Sequence, residues 1–253
     1  GMPIPADNPK GNGFVDYVLW DDNGKPLALI EAKRTTKDIE VGRHQAFLYA
    51  NCLEKMHGQR PIIFYTTGYE TNIWEDTFYS SPRRAYGFYT KSELQWLIQK
   101  RATIKDLRKA TINTNIANRP YQFEAIQRVA EAFVTDGEKG IRGNKRRALL
   151  VMATGSGKTR TAAALVDVLF KNNWVKRVLF LADRNALVTQ AKNNFSEYLP
   201  ELTSIDLTQE KENDTTRLVF STYASIMNRI DNIRNADERF YGVGHFDLII
   251  VDG

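Results

Sequence analysis

The first residues that could do chemistry are an acid on one alternating run and an acid with a lysine on the next. Asp16 lies in the run 14–20, and Glu31-Ala32-Lys33 ends the run 27–33. Because side chains of a strand alternate between its two faces, Leu27, Leu29, Glu31 and Lys33 are expected on one face. Two neighbouring carboxylates can share a hard divalent cation, and a lysine beside them can position a water or balance charge developing on a phosphate.

The turn between the two runs decides whether the acids meet. Asp21-Asp22-Asn23-Gly24-Lys25 is a strong turn signal, so the runs are predicted to form a β-hairpin. Placing Asp16 opposite Glu31 requires Asp21 opposite Pro26, with residues 22–25 closing the loop. That register predicts that both carboxylates reach one cation.

A helix predicted after the hairpin carries two polar residues, Gln45 and Tyr49, on one side at i and i+4. The rest of its inner face is apolar, and the helix is expected to end near Gly58. Polar groups on such a face need partners, which a metal–phosphate site would supply. A Glu-x-Lys sequence alone is more often an inert surface ion pair, so the hypothesis depends on hairpin and helix together.

A second group of residues has the pattern of a phosphate-binding loop. The apolar run 147–151 leads into Thr154-Gly155-Ser156-Gly157-Lys158-Thr159, and a helical pattern follows. Strand, glycine loop and helix in this order are the context of a Walker A loop, whose backbone N–H groups hold phosphates at the helix start. Lys158 would reach the β and γ phosphates, and Thr159 would ligate Mg²⁺. The alternative is a plain glycine turn with an unrelated lysine.

Elements that alternate in type must position these residues. Strands are predicted over 61–66 and 71–74, and after a basic helix and polar connector the second half begins with an amphipathic helix at 121–134. A flexible basic loop is expected next, and then strands interleaved with helices. The remaining predicted strands are 147–151, 177–181, 217–220 and 246–251, and the helices are 158–170 and 185–195. This alternation is typical of a parallel sheet covered on both sides.

Composition narrows the class of protein. The chain has 253 residues, 42% of them hydrophobic and 26% charged, which suits a globular protein with two domains. Its longest apolar runs are too short to cross a bilayer, so no membrane partner is expected. The single cysteine, Cys52, excludes an internal disulfide and fits a reducing cytoplasm. The net charge of +5 permits an anionic partner, and basic runs at 83–109 and 139–147 could contact DNA phosphates.

The first half resembles the PD-(D/E)xK nuclease fold with a Gln-x-x-x-Tyr extension. The stretches that carry the resemblance are 15–19, 30–35 and 42–50. Within that family pattern Asp16, Glu31, Lys33, Gln45 and Tyr49 would be the catalytic residues, and Asp16 and Glu31 the metal ligands.

The second half resembles the first lobe of a superfamily two helicase or DNA translocase. Arg119-Pro120-Tyr121-Gln122 is similar to the Q-motif, in which Gln122 would read adenine, and residues 152–159 are similar to motif I. Residues 181–184 and 221–223 are similar to motifs Ia and Ib, which contact the nucleic-acid backbone. Residues 246–252 are similar to motif II, with Asp252 on Mg²⁺. The family has a glutamate where Gly253 stands, so this chain is expected to bind ATP and hardly to hydrolyse it.

Together the two halves resemble the motor subunit of type I restriction enzymes. The resemblance implies a nuclease domain at 1–92, a basic helical linker at 93–118 and a first RecA-like lobe at 119–253. It implies Mg²⁺ and ATP as cofactors, double-stranded DNA as substrate, and methylation and specificity subunits as partners in the cytoplasm. Cleavage would follow ATP-driven translocation.

Two other functions fit the same residues. A stand-alone repair nuclease–helicase would need no methylation or specificity partners. A non-catalytic DNA-binding platform would keep the acids only as part of a fold, and would show no Mg²⁺-dependent cleavage.

Overall fold

A computed structural model describes residues 13–33, 39–232, 234–235 and 238–253, with side chains described outside 231–239. Arg34 and Thr35 of the nuclease-like stretch lie outside this description. The chain divides into two compact units, Gly1–Ala102 and Thr103–Gly253, so the predicted linker 93–118 is shared between them. In the part of the chain described, no helix is both long enough and apolar enough to span a bilayer.

The first unit is a mixed five-stranded sheet with a helix on each face. The elements are β1 (Tyr17–Trp20), β2 (Pro26–Ala32), α1 (Ile39–His57), β3 (Ile62–Thr66), β4 (Thr71–Trp74), β5 (Arg83–Ala85) and α2 (Lys91–Thr103). The strand order is β1-β2-β3-β4-β5, in which only β2 and β3 are parallel. Helix α1 makes the crossover between these two and packs through Ala46 and Leu53, whereas Leu94 and Leu97 of α2 pack on the opposite face. This is the predicted mixed α/β domain.

The hairpin forms, with one irregularity that the sequence did not indicate. Tyr17 faces Ile30 and Leu19 faces Ala28, but the register shifts after Leu19 so that Trp20, and not the predicted Asp21, faces Pro26. Proline has no N–H with which to continue the ladder. The amide of Asp21 instead donates to the Lys25 carbonyl at 2.9 Å.

Beside this irregularity, the prediction that Leu27 and Leu29 lie on one face of β2 was wrong. Leu29 packs against α1, as expected, whereas Leu27 packs with the cluster on the α2 side. The shift lies beside Leu27, so the strict alternation used in the prediction holds only from Ala28 onward.

The second unit contains a parallel four-stranded sheet. Its elements are α3 (Pro120–Phe133), β6 (Val134–Gly137), β7 (Gly140–Gly143), α4 (Lys158–Lys171), β8 (Val178–Ala182), α5 (Asn185–Tyr198), β9 (Ser204–Asp206), β10 (Leu218–Thr222), α6 (Tyr223–Asn232), β11 (Arg234–Asn235), β12 (Glu238–Arg239) and β13 (Leu248–Val251). The order β13-β8-β10-β9 is parallel throughout. A 3-10 turn at Leu107–Lys109 precedes α3. The predicted parallel-sheet lobe is confirmed.

Two predictions for the second unit were wrong. Residues 147–151 form no strand, and Leu149 and Val151 are 86% and 88% exposed. An isolated strand cannot satisfy its backbone groups, and β13, the sheet edge, pairs only with β8 among the described strands. The basic loop expected after α3 contains the hairpin β6–β7, in which Val134 pairs with Gly143.

A buried arginine ties the elements of the first unit together. Arg60 precedes β3 and is 9% exposed. Its Nε lies 2.8 Å from Asp76, and its Nη1 lies 2.7 Å from Asn51 and 2.9 Å from Glu54. Arg101 of α2 donates to the Arg60 carbonyl at 2.6 Å. These contacts join both helices to one end of the sheet.

Asp76→Ala should therefore destabilise the first unit. Removing the buried carboxylate leaves the Arg60 guanidinium under-compensated, which should lower the free energy of unfolding by about 3 kcal/mol. Glu54→Ala is the matched control, because Glu54 is half exposed and its loss should cost at most about 1 kcal/mol. Urea unfolding followed by tryptophan fluorescence measures both, and equal small losses would contradict the assigned role.

Candidate functional site

The hairpin register brings the two predicted acids together. Tyr17 faces Ile30, so one step further along the ladder Asp16 lies beside Glu31. The Asp16 carboxylate accepts a hydrogen bond from the Ala32 amide at 2.7 Å. Asp16 is exposed, whereas the Glu31 side chain is only 2% exposed. The pair therefore combines one solvent-facing and one buried carboxylate.

Glu31 is electrostatically incomplete in this arrangement. The Lys33 ammonium donates to its Oε1, whereas Oε2 is buried and has no hydrogen-bond partner among the described residues. Burial raises the pKa of Glu31 above its ordinary value, the Lys33 hydrogen bond opposes the rise, and the charge of Asp16 adds to it. A buried carboxylate oxygen without a donor is an energetic cost that a cation would offset.

Helix α1 approaches the Lys33 side chain closely at Gly42, a contact that the sequence alone did not indicate. A Cβ at Gly42 would lie 3.2 Å from Lys33 Cγ, which is closer than ordinary side-chain contact. The amide of Lys33 donates to the Thr66 carbonyl at 2.8 Å, so its backbone continues the β2–β3 ladder. The lysine is thus held between a helix and a strand end.

Gln45 and Tyr49 lie on the same side of α1, as predicted, and bond to each other. Gln45 Nε2 lies 2.9 Å from the Tyr49 hydroxyl, and Tyr49 packs beside Leu29. Within the described residues neither side chain makes a hydrogen bond to Asp16, Glu31 or Lys33. Tyr49 thus packs α1 against the strand that carries Glu31, and the catalytic role of both residues stays a prediction.

Asp16 and Glu31 make a two-carboxylate site. Among the residues described, no group of three or more His, Cys, Asp or Glu side chains is arranged to hold a metal ion. A cation bound here would take its remaining ligands from water and phosphate, as Mg²⁺ commonly does.

The phosphate-binding loop leads directly into α4. Gly155 and Gly157 have φ of +76° and +90°, a left-handed backbone that glycine adopts without strain. Ser156 Oγ donates to the Ala153 carbonyl at 2.6 Å, and Lys158 is exposed as the first residue of the helix. Free amides at a helix start and an exposed lysine suit a phosphate group. Thr154 and Thr159 flank this turn.

Helix α3 contacts the loop through two side chains. The Tyr121 hydroxyl donates to the Ser156 carbonyl at 2.7 Å, and Gln122 Nε2 lies 3.3 Å from the same oxygen. Gln122 is 1% exposed, and its oxygen accepts from the Asn118 and Arg119 amides. The structure thus places Gln122 under the loop, where it supports Gly157, while the predicted adenine contact stays a prediction.

The other residues of the helicase-like motifs lie at the carboxyl ends of the parallel strands. Leu181 pairs with both Ser221 and Val251, so Asp252, Asp183 and Thr222 follow at one edge of the sheet. The Asp252 amide donates to the Leu181 carbonyl at 2.9 Å. Ligands of α/β sheets bind at this edge. No hydrogen bond or ion pair of the described residues joins Lys158 or Thr159 to Asp252.

Several cations of the first predicted basic run are engaged within the protein. Lys91 pairs with Asp22 at 2.5 Å, Arg83 bonds Tyr89, and Arg108 pairs with Asp106 and Asp136. The second run, 139–147, begins within the β6–β7 hairpin. A uniform basic surface over 83–109 is therefore not what the structure shows.

Comparisons with known proteins give the two units separate matches. A family model described as type I restriction enzyme R protein N terminus matches residues 8–80. A family model described as type III restriction enzyme, res subunit, matches residues 115–253, more than half of the chain.

Relatives with both regions are restriction-enzyme subunits. The type I restriction enzyme EcoAI endonuclease subunit of Escherichia coli is 31% identical over 94% of this chain and 29% of its own length. The EcoKI endonuclease subunit of E. coli K12 is 28% identical over 99% of this chain and 25% of its own. This chain thus spans less than a third of each relative's length.

One solved structure, a fragment described as an HsdR subunit of a type I restriction enzyme from Vibrio vulnificus YJ016, is 24% identical with a TM-score of 0.38. The match covers 94% of this chain and 41% of that fragment. The chain belongs to the restriction-enzyme family of the res-subunit model, and the region ahead of it matches the N terminus of type I restriction enzyme R proteins.

Proposed function

We propose that this chain supplies the nuclease and the first motor lobe of an ATP-dependent restriction endonuclease subunit. The subunit cleaves double-stranded DNA with a divalent metal after ATP-driven translocation. The single observation that carries the nuclease half is the buried Glu31 Oε2 beside Asp16 and Lys33, for which the described part of the chain offers no hydrogen-bond partner. A platform without catalysis would have no need to keep this oxygen free of donors.

The residues of the acid pair fit Mg²⁺. Carboxylate oxygens are its preferred protein ligands, and Asp16 and Glu31 offer one exposed and one buried carboxylate. When bound, Mg²⁺ polarises the scissile phosphate and lowers the pKa of a water.

The chain's own groups supply the rest of the proposed nuclease chemistry. Lys33 presents its ammonium beside the acids, where it stabilises negative charge that develops on a phosphate oxygen. Packing of Gly42 against Lys33 restricts the conformations that the lysine side chain can adopt. Tyr49 packs in the same cluster as Leu29 of β2, so the geometry depends on the helix as well as on the hairpin.

The motor half binds ATP at the start of α4. Backbone amides of the glycine turn and of the first turn of α4 would bind the phosphates, and Lys158 would contact the β and γ groups. Thr159 and Asp252 would hold Mg²⁺, and Thr154 begins the turn. Because Tyr121 and Gln122 both donate hydrogen bonds to the Ser156 carbonyl, a movement of α3 would also move the loop.

The relatives favour a multisubunit enzyme over a stand-alone repair nuclease–helicase. Both E. coli proteins are named as endonuclease subunits of type I restriction enzymes. For this chain the proposed partners are accordingly methylation and specificity subunits in the cytoplasm, and double-stranded DNA. Co-purification of the full-length protein with a methyltransferase subunit tests this assignment.

Glu31→Ala should separate the two activities of the full-length protein. Loss of a metal ligand should reduce DNA cleavage at least about 1000-fold, because several kcal/mol of transition-state stabilisation disappear. DNA-stimulated ATP hydrolysis should persist. Lys158→Ala should abolish ATP hydrolysis and also cleavage. Asp22→Ala, which removes an exposed carboxylate at the far end of the hairpin, is the control and should retain both.

Efficient Mg²⁺-dependent cleavage by the Lys158→Ala protein without ATP would contradict a translocation-dependent nuclease. It would favour a simple metal nuclease attached to a motor-like domain.

ATP affinity should depend on Lys158 in the chain described here. Lys158→Ala removes a charged hydrogen bond worth about 1.5–3 kcal/mol, so the dissociation constant should rise about 10- to 100-fold. Titration with a fluorescent ATP analogue measures it. Lys211→Ala, an exposed lysine between β9 and β10, should bind as the unchanged protein does. Equal affinities in the two variants would show that the loop does not bind phosphate.

A further inference from the structure

The strand register extends the acid pair into a row that crosses the whole first sheet. Glu31 faces Tyr65 on β3, Tyr65 faces Asn72 on β4, and Asn72 faces Arg84 on β5. Residues that face each other across strands project to the same side. Arg84 therefore points to the face that carries Glu31, and this face is the one on which α1 packs.

Helix α1 covers only part of this face. Tyr65 is buried beneath it, Asn72 is half buried and Arg84 is exposed. Over β4, a groove runs beside the helix and is lined by Glu40, Arg43, His44, Phe47 and Trp74. Helix α1 thus covers this face of the sheet at Tyr65 on β3, whereas the face is open to solvent at β4 and β5.

Arg84 differs from several other cations of its basic run, whose side chains contact groups of the protein. Arg101 donates a hydrogen bond to the Arg60 carbonyl, and Lys91 forms an ion pair with Asp22. No carboxylate of the described residues lies within 4 Å of the Arg84 guanidinium. That group instead lies over the Tyr86 ring, 5.4 Å from its centroid, and Tyr86 is 85% exposed.

We propose that Arg84, supported by Tyr86, is a phosphate-binding subsite for the DNA strand that reaches the acid pair. The subsite deepens the proposed nuclease function and rests on it. Strands lie about 4.8 Å apart, so Arg84 is about 14 Å from Glu31 along the row. Because α1 covers the row at β3, Arg84 would contact a backbone phosphate on the open part of the face, to one side of the bond that is cut.

The side chains suit this ligand. A guanidinium presents a planar fork that binds a phosphate through two parallel hydrogen bonds, and stacking on an aromatic ring holds the fork in place. Asn72, between Arg84 and the acids, offers an amide along the same path. A charge on an edge strand can also serve only to prevent pairing with other sheets, and that role would leave DNA cleavage unaffected.

The test compares full-length variants in DNA cleavage at several salt concentrations. Arg84→Ala should lower the cleavage rate at limiting DNA about 10-fold and reduce the salt dependence by about one phosphate contact. Arg84→Lys keeps the charge and loses the planar fork of the guanidinium, so its cleavage rate should lie between those of the unchanged protein and Arg84→Ala. ATP hydrolysis should be unchanged. Lys25→Ala, which removes an exposed cation from the β1–β2 turn, is the matched control and should cleave normally.

The outcomes separate this inference from the function on which it rests. If Glu31→Ala still cleaves DNA, the nuclease assignment fails. If Glu31→Ala is inactive while Arg84→Ala cleaves as Lys25→Ala does, only the phosphate subsite is overturned. A loss in Arg84→Ala that also reduces ATP hydrolysis, or that shows no change in salt dependence, would likewise count against it.

Discussion

The cross-strand register around β2 is the constraint on which the first unit depends. A shift of one residue would move every side chain of the strand to the opposite face, and the acids would then lie on different sides of the sheet. The observed register holds Glu31 beside Asp16 on one flank and opposite Tyr65 on the other. The hairpin absorbs its irregularity at Trp20 and Pro26, away from the acids. The site thus lies on the regular part of the ladder.

Burial gives Glu31 its chemical character. Burial removes water from this carboxylate and raises its pKa, and among the described residues one of its oxygens has no donor. The cost of that arrangement is offset in part by Lys33, which the close approach at Gly42 holds in place. Stability of the unit comes from elsewhere, chiefly from apolar packing on both sheet faces and from the Arg60 contacts. The fold can therefore tolerate an electrostatically incomplete site.

In the second unit, the corresponding constraint is the parallel register of β8, β10 and β13. Because these parallel strands are paired in register, their carboxyl ends lie side by side, and residues far apart in sequence meet there. The phosphate-binding loop is supported in a different way. Its Ser156 carbonyl accepts from both Tyr121 and Gln122 of α3, so the helix before the loop helps to set its shape. The apolar segment 147–151 stays outside the sheet and exposed.

The sequence by itself determined the local features. Turn residues indicated the hairpin, helical spacing placed Gln45 and Tyr49 on one side of α1, and the order of strand-like run, glycine loop and helix marked Lys158. These are short-range effects of backbone geometry and capping, which neighbouring residues dictate. Family resemblance supplied the assignment of roles. Strand formation at 147–151 could not be settled locally, because a strand exists only if another strand pairs with it.

Tertiary structure alone decided which distant groups meet. The closeness of Gly42 to Lys33, the unpartnered oxygen of Glu31 and the burial of Gln122 under the phosphate-binding loop all arise from packing between elements. The same holds for Arg84, which the sequence showed only as one cation among many in a basic run. Its place in the row with Glu31 follows from three successive strand pairings. Charge can be read along a chain, but the face on which a charge acts is set by long-range register.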